Sequence, residues 1–385
     1  MRPTSLIELS SSALKKNVSY LRKKIGRDTK FVSVIKGNAY GHGIEKFLPV
    51  AERSGIDYFA VFDAYEAFQA LTVKQPRTEL MIMGMIDNDQ LEWAIENEIS
   101  FYVFEMDRLQ HAIMAAKKVK KPAKIHLELE TGMHRTGFEE KELEQVINLI
   151  KKNRKYLYME GLCTHYAGAE SIANHVRVES QYQEFLRLRN ILAQKRIKAR
   201  YEHTACSAAT LTYPHTMMNM VRIGIAHYGY WPSQETRMHN LYSDKGCYTR
   251  DPLRKVLQWK TKVMSIKIVE AGRFVSYGHS FMATKKTIIA SIPIGYYHGY
   301  RRSLSNIGHV LIGGKKAQII GLVNMNMFVV DVTAIPDVKK GDEVVIIGDQ
   351  GSQKITVSSF CELTNLVNYE LLCRLPVNIP RTIVD

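Results

Sequence analysis

Eight short apolar runs, rich in β-branched and aromatic residues, recur at intervals along the first two thirds of the chain: FVSVI (31–35), YFAVF (58–62), LMIMG (80–84), FYVF (101–104), KIHLEL (124–129), YMEGLCTH (158–165), ARYEHTA (199–205) and MVRIGI (220–225). Between them lie segments with apolar residues at helical spacing, such as NDQLEWAIENE and KELEQVINLIKKN. A strand that is apolar almost throughout needs cover on both faces, and a helical crossover returns the chain parallel to the strand it left. Eight such units predict a (β/α)8 barrel of the TIM type rather than an open sheet.

After about residue 245 the texture changes. VLQWKTKVMSIKIVE, TIIASIPIGYY, HVLIGGKKAQIIGLV, MFVVDVTAI and DEVVIIGDQG read as short strands separated by Gly, Asn and Asp turns, with helix returning only near VSSFCELTNLV. The fold class expected is therefore α/β, an N-terminal (β/α)8 barrel over residues 10–243 followed by a mostly antiparallel β domain over 244–385. The change of texture puts the boundary near SDKGCYTRDP, and residues 1–9 are expected to join the second domain as a strand.

No apolar run approaches the roughly 18 residues of a membrane span, and MRPTSLIELSSSALKKN lacks the apolar centre of a signal peptide, so a cytoplasmic protein with no membrane partner is expected. Cys163, Cys206, Cys247, Cys361 and Cys373 are odd in number, scattered and free of any CxxC pair, which argues for reduced thiols and against a structural metal site. Lys and Arg outnumber Asp and Glu by 53 to 38. That excess lies on helix-like stretches and has no nucleic-acid-binding motif beside it, so no nucleic-acid partner is expected.

Active sites of such barrels are built at the carboxyl ends of the strands. Lys36 follows the first strand, Arg135 stands in ETGMHRTGF after the fifth, His165 ends the sixth, Ser207 follows the seventh, and Arg222 with Gly224 belongs to the eighth. Each residue alone has a plainer reading: a strand-end His as a structural hydrogen-bonding group, Arg135 as a surface residue, Lys36 as a lysine that keeps its ammonium in solvent. Taken together they suggest an aldehyde cofactor held by Lys36, whose amine would be uncharged if desolvated at the rim, with an anion near Ser207 and Gly224, where barrels often bind phosphate.

VIKGNAYGHG resembles the pyridoxal-phosphate attachment motif of alanine racemases, which are fold type III pyridoxal-phosphate enzymes. ETGMHRTGF, THYAGAE, VRIGIAHYG, VSYGHSF, SIPIGYYHGYRRSLSN, GLVNMNMFVVDVT and NYELLCRLPVNIPR continue the resemblance in chain order, essentially end to end. It implies interconversion of L- and D-alanine, with D-alanine serving peptidoglycan, by a head-to-tail homodimer that binds a small amino acid. Lys36 would carry pyridoxal 5'-phosphate and act as base on one face of Cα, and Tyr277 of the other subunit as base on the opposite face. One base can exchange a proton only on its own side, so racemisation needs both. His165 would lie beside Tyr277, and Arg222 against the cofactor's ring nitrogen. Tyr40, Ser207, Gly224, Ile225 and Tyr369 match the phosphate-binding set, Tyr369 also lining the substrate pocket. Arg135 and Met325 match substrate-binding positions, and the resemblance implies no metal.

The chain departs from the family pattern at several positions. Glu128 stands where many members have a carbamylated lysine; a glutamate supplies a carboxylate directly and could pair with Arg135, or could be an exposed strand residue. Asn324 and Asn326 flank Met325 where a small residue and an aspartate are usual, Tyr297 and His298 replace Ala-Asp, and Cys206 replaces an asparagine. These changes bear on substrate range. The alternatives are a racemase of the same fold acting on serine or larger amino acids, a fold type III amino-acid decarboxylase, and a cofactor carrier without turnover; Arg222 speaks against the second, Tyr277 and Tyr369 against the third.

Overall fold

The structure is a computed structural model and describes residues 3–242, 251–364 and 368–385, with the side chains of 361–364 outside the description. Strand β1 is Ser5–Ser10. The eight apolar runs form parallel strands: β2 Lys30–Val34, β3 Tyr58–Val61, β4 Glu79–Ile82, β5 Ser100–Val103, β6 Ala123–Glu128, β7 Leu157–Cys163, β8 Tyr201–His203 and β9 Met220–Ile223. They pair in the order β8-β7-β6-β5-β4-β3-β2-β9. An isolated parallel bridge between Cys206 and Arg222 brings the two ends of that order together, so the barrel is nearly closed.

All four residues of β3, β5 and β9 are buried, as strands covered on both faces require. The outer helices bury one stripe each. In Leu143–Lys152 the buried residues are Leu143, Val146, Ile147 and Ile150, one face of a 3.6-residue period. The chain divides into two compact units, one of Leu14–Gly37 with Leu48–Arg254, which holds the barrel, and one of Met1–Ala13, Asn38–Phe47 and Lys255–Asp385. The boundary expected at 243/244 and Cys247 lie outside the described residues.

The second unit contains β10 Leu257–Lys262, β11 Ser265–Val269, β12 Thr287–Ile292, β13 His309–Ile312, β14 Lys315–Gln318, β15 Phe328–Asp331, β16 Glu343–Gln350, β17 Gln353–Ile355 and β18 Arg381–Val384. One sheet runs β14-β13-β16-β10-β1-β18, with β17 on β16; the other is β11-β12-β15. Every pairing is antiparallel except that of β1 with β18. The first strand of the chain thus lies inside this sheet, between β10 and β18. Among the described residues no helix is long and apolar enough to cross a membrane.

Candidate active site

Strand β2 ends at Val34, and Lys36 opens the helical element Lys36–Tyr40. The turn is left-handed: Gly37, Asn38, Ala39, Tyr40 and Gly41 all have φ between 50° and 76°. A left-handed turn presses Cβ toward the next carbonyl at about 1–2 kcal/mol per residue, so three successive non-glycine residues here cost roughly 3–6 kcal/mol. Hydrogen bonds from within the turn and from a distant arginine hold it. The N–H groups of Gly43 and His42 donate to the carbonyls of Asn38 and Ala39 at 2.9 and 3.0 Å, the Ile44 N–H to Asn38 Oδ1 at 3.0 Å, and Arg381 Nη2 to the Gly41 carbonyl at 2.9 Å. Tyr40 is buried with its ring tilted 5.9 Å from that of Tyr369. Burial stops at Ile35 and the Lys36 side chain is exposed in this chain, directly before the left-handed turn that begins with Gly37.

Strand β9 lies beside β2, with Arg222 the register partner of Val32. Arg222 is 5% exposed. Its Nη1 donates to His203 Nδ1 and, at 2.7 Å, to the His203 carbonyl; its Nη2 donates to the carbonyls of Thr164 and Thr204 at 2.8 and 3.0 Å and reaches His165 Nδ1 at 3.5 Å. The terminal nitrogens are thereby engaged by the ends of two strands, β7 and β8. Among the described residues Nε–H has no hydrogen-bond partner.

His165 is half-buried, and burial, reinforced by Arg222, Arg135 and Lys36, pulls its imidazole down to about 3. The ring is neutral at physiological pH. Since arginine can only donate, His165 Nδ1 is the acceptor and Nε2 carries the hydrogen. Burial raises Glu128 above the usual carboxylate range. Its Oε2 accepts from Thr136 Oγ1 at 2.9 Å, rather than pairing with Arg135 as expected. The reason is the path of the loop: Gly132, His134 and Gly137 have positive φ, and the turn leaves Arg135 exposed while Thr136 faces the strand. Glu130, passed over in the sequence, shapes this loop by accepting the N–H groups of Gly132, Met133 and His134.

Ser207 opens the helix Ser207–Thr212 and is 5% exposed. Its Oγ accepts the Gly224 N–H at 2.8 Å, so Gly224 anchors the serine, whose own hydrogen is left to donate. The next residue, Ile225, is 1% exposed, and among the described residues its N–H has no hydrogen-bond partner. In the second unit Tyr277 and Met325 are 70% and 55% exposed. Ser276, with φ of 67°, lies within 3.4 Å of the Asn324 amide and donates to the Leu322 carbonyl at 3.0 Å, which ties the Tyr277 turn to the Met325 loop. The Tyr296 and Tyr297 N–H groups, each at 3.0 Å, join the same loop through the carbonyls of Asn324 and Met325, and the Gly295 N–H donates to His298 Nδ1 at 3.2 Å. Asn326 is exposed. Among the described residues no cluster of His, Cys, Asp or Glu is placed to hold a metal ion.

The family model for the alanine racemase N-terminal domain matches residues 9–232, and that for the C-terminal domain matches residues 256–383. An alanine racemase of Leptospira interrogans is 33% identical over 383 residues, covering 99% of this chain and 96% of the relative. The crystal structure of alanine racemase from D-cycloserine producing Streptomyces lavendulae superposes with a TM-score of 0.89 at 27% identity, over 100% of this chain and 98% of that one. The alanine racemase of Bartonella henselae, solved with covalently bound pyridoxal phosphate, superposes with a TM-score of 0.83 at 25% identity over 100% of both chains.

Proposed function

Because the chain belongs to the alanine racemase family, and its activity is the interconversion of L- and D-alanine, we propose that it works through pyridoxal 5'-phosphate carried by Lys36, in a homodimer whose chains lend each other Tyr277. The observation that carries this reading is Arg222. A guanidinium with its terminal nitrogens spent on strand ends and its Nε–H left over is a fixed donor, and a ring nitrogen without a proton is the acceptor it fits. The Ser207 hydroxyl and the Ile225 N–H, with Gly224 anchoring the serine, suit phosphate oxygens, and the resemblance adds Tyr40 and Tyr369 to that set.

Bound there, pyridoxal phosphate supplies an aldehyde that condenses with amines and a conjugated ring that withdraws electrons from Cα. Lys36 then removes or returns the Cα proton on one face and Tyr277 on the other. The free phenol, with a pKa of about 10, is a weak base at neutral pH. His165 sits too low to take the phenol proton itself, but its Nε2–H can donate to the phenol oxygen and stabilise it as it ionises. Arg222, which can only donate, would favour an unprotonated ring nitrogen there, and so a weaker withdrawal of charge from Cα and prompt proton return over side reactions. Arg135 and the Met325 N–H hold the substrate carboxylate, with Glu128 backing the loop through Thr136.

We place the enzyme in the cytoplasm, where its D-alanine would feed peptidoglycan. The test is chiral chromatography of alanine incubated with the purified protein. L-alanine should approach an equal mixture with D-alanine, dialysis against hydroxylamine should abolish this, and added pyridoxal phosphate should restore it. Turnover unaffected by loss of the cofactor would refute the reading.

A further inference from the structure

Beneath Arg222 a chain of buried polar side chains runs through the interior of the barrel. His203 Nε2 lies 2.8 Å from His126 Nδ1, and His126 Nε2 lies 3.2 Å from both the Tyr58 hydroxyl and the Ser100 hydroxyl. Tyr58 and Ser100 are 3.0 Å apart, and Ser100 Oγ donates to the Leu80 carbonyl at 3.1 Å. Tyr58, Ser100, His126 and His203 are each no more than 2% exposed. Only one assignment of hydrogens satisfies the whole chain. Arg222 has no acceptor, so His203 Nδ1 must accept and its hydrogen sits on Nε2. That hydrogen makes His126 Nδ1 an acceptor and puts the second hydrogen on His126 Nε2, which donates to the hydroxyls, while the Ser100 hydrogen goes to the Leu80 carbonyl. Both rings must be neutral for this, and burial beside Arg222 pulls His126 to about 3 and His203 well below its usual value.

The backbone is shaped around this chain. The pairing of β6 with β7 shifts register between Ile125 and His126, and the residue opposite His126 is Gly161. A Cβ at Gly161 would collide with the His126 ring at Nδ1, so the missing side chain is the space through which His126 crosses β7 to reach His203 on β8.

Resting on the reading of Arg222 above, we propose that His126 is a positioning residue for the racemase reaction: held by Tyr58 and Ser100, it locks His203 in the Nε2–H form, and His203 in turn fixes the Arg222 guanidinium with Nε–H turned to the cofactor. With the acceptor gone, the His203 hydrogen is unpaired in an apolar site, the ring moves its hydrogen to Nδ1, and a donor then faces a donor at Arg222.

Neutron diffraction of the perdeuterated holoenzyme reads the assignment directly. Deuterons on Nε2 of both His203 and His126, with none on either Nδ1, are expected; a deuteron on His203 Nδ1 overturns the proposal. In solution His126→Phe should raise the dissociation constant for pyridoxal phosphate at least tenfold, shift the visible absorption maximum of the bound cofactor, and lower kcat at least tenfold, with KM for alanine changed less than threefold. His126→Asn, whose Oδ1 can accept from His203, should stay within threefold of the parent in all three. Equal losses in both variants, or none in His126→Phe, overturn it, and if His126→Phe does not fold the deuteron positions decide. Should Lys36 carry no cofactor, the reading of function fails, yet the hydrogen order in the chain is still decided by diffraction.

Discussion

Arg222 donates to His203 twice, once to the ring nitrogen and once, at 2.7 Å, to the carbonyl of the same residue. Side chain and backbone of one residue at the end of β8 therefore hold one face of a guanidinium, while the carbonyls of Thr164 and Thr204 hold the rest. Two strands of the barrel, β7 and β8, end in oxygen atoms turned toward one cation.

Arg222→Lys keeps the charge but replaces a planar fork of donors by one ammonium that cannot reach all these acceptors. Unpaired buried carbonyls cost about 1–3 kcal/mol each. Denaturant titration should show a loss of about 2–4 kcal/mol, and racemisation should fall at least tenfold.

Gly41 has φ of +76°, and a Cβ there would run into the Leu372 carbonyl. Both the conformation and the space exclude a side chain, so Gly41→Ala should destabilise by about 2–4 kcal/mol and weaken cofactor retention through the adjoining turn. Urea melts and equilibrium dialysis of the cofactor measure the two effects.

Tyr277 is exposed on its own chain. Tyr277→Phe should change the stability of that chain by less than about 0.5 kcal/mol. Racemisation should nevertheless fall by roughly 10²–10⁴, the usual worth of a positioned acid–base group. Solvent deuterium exchange at Cα should be lost mainly from one enantiomer, since under the proposed two-base reading Lys36 would still serve its own face.

Acid should destabilise the fold early. His126 and His165 are held near 3 in the folded chain, below the 6.5 of a free imidazole, so between these values the unfolded chain binds protons that the folded chain refuses. Their contribution is fully present above about pH 6.5 and is lost as pH falls toward 3, at a limiting slope of about 1.4 kcal/mol per pH unit for each ring. Unfolding free energies measured between pH 4.5 and 7 should fall with acidification; a flat profile would show that these rings are not buried neutral.

The eight apolar runs announced the barrel because a strand covered on both faces can hardly be written any other way, and each appears within a few residues of its expected place. The placing of Lys36, His165, Ser207 and Arg222 at or just after strand ends was legible for a related reason: polar residues closing apolar strands stand out. The left-handed turn was not. Asn38, Ala39 and Tyr40 have no common preference for positive φ, and what holds them there includes Arg381, more than three hundred residues away in the sequence. His126 and His203 escaped notice because a barrel interior can carry a polar chain once every hydrogen is paired, and pairing between strands far apart in the sequence leaves no periodic mark. Thr136 replaced Arg135 as the partner of Glu128 because three positive-φ residues decide which side chain turns inward.

Borohydride reduction of the holoenzyme, followed by peptide mapping with mass spectrometry, locates the lysine that carries the cofactor. A pyridoxyl group is expected on the peptide containing VIKGNAYGHG, at Lys36, with loss of racemase activity in proportion to labelling. A label on another lysine, or full activity after complete reduction, would contradict that expectation.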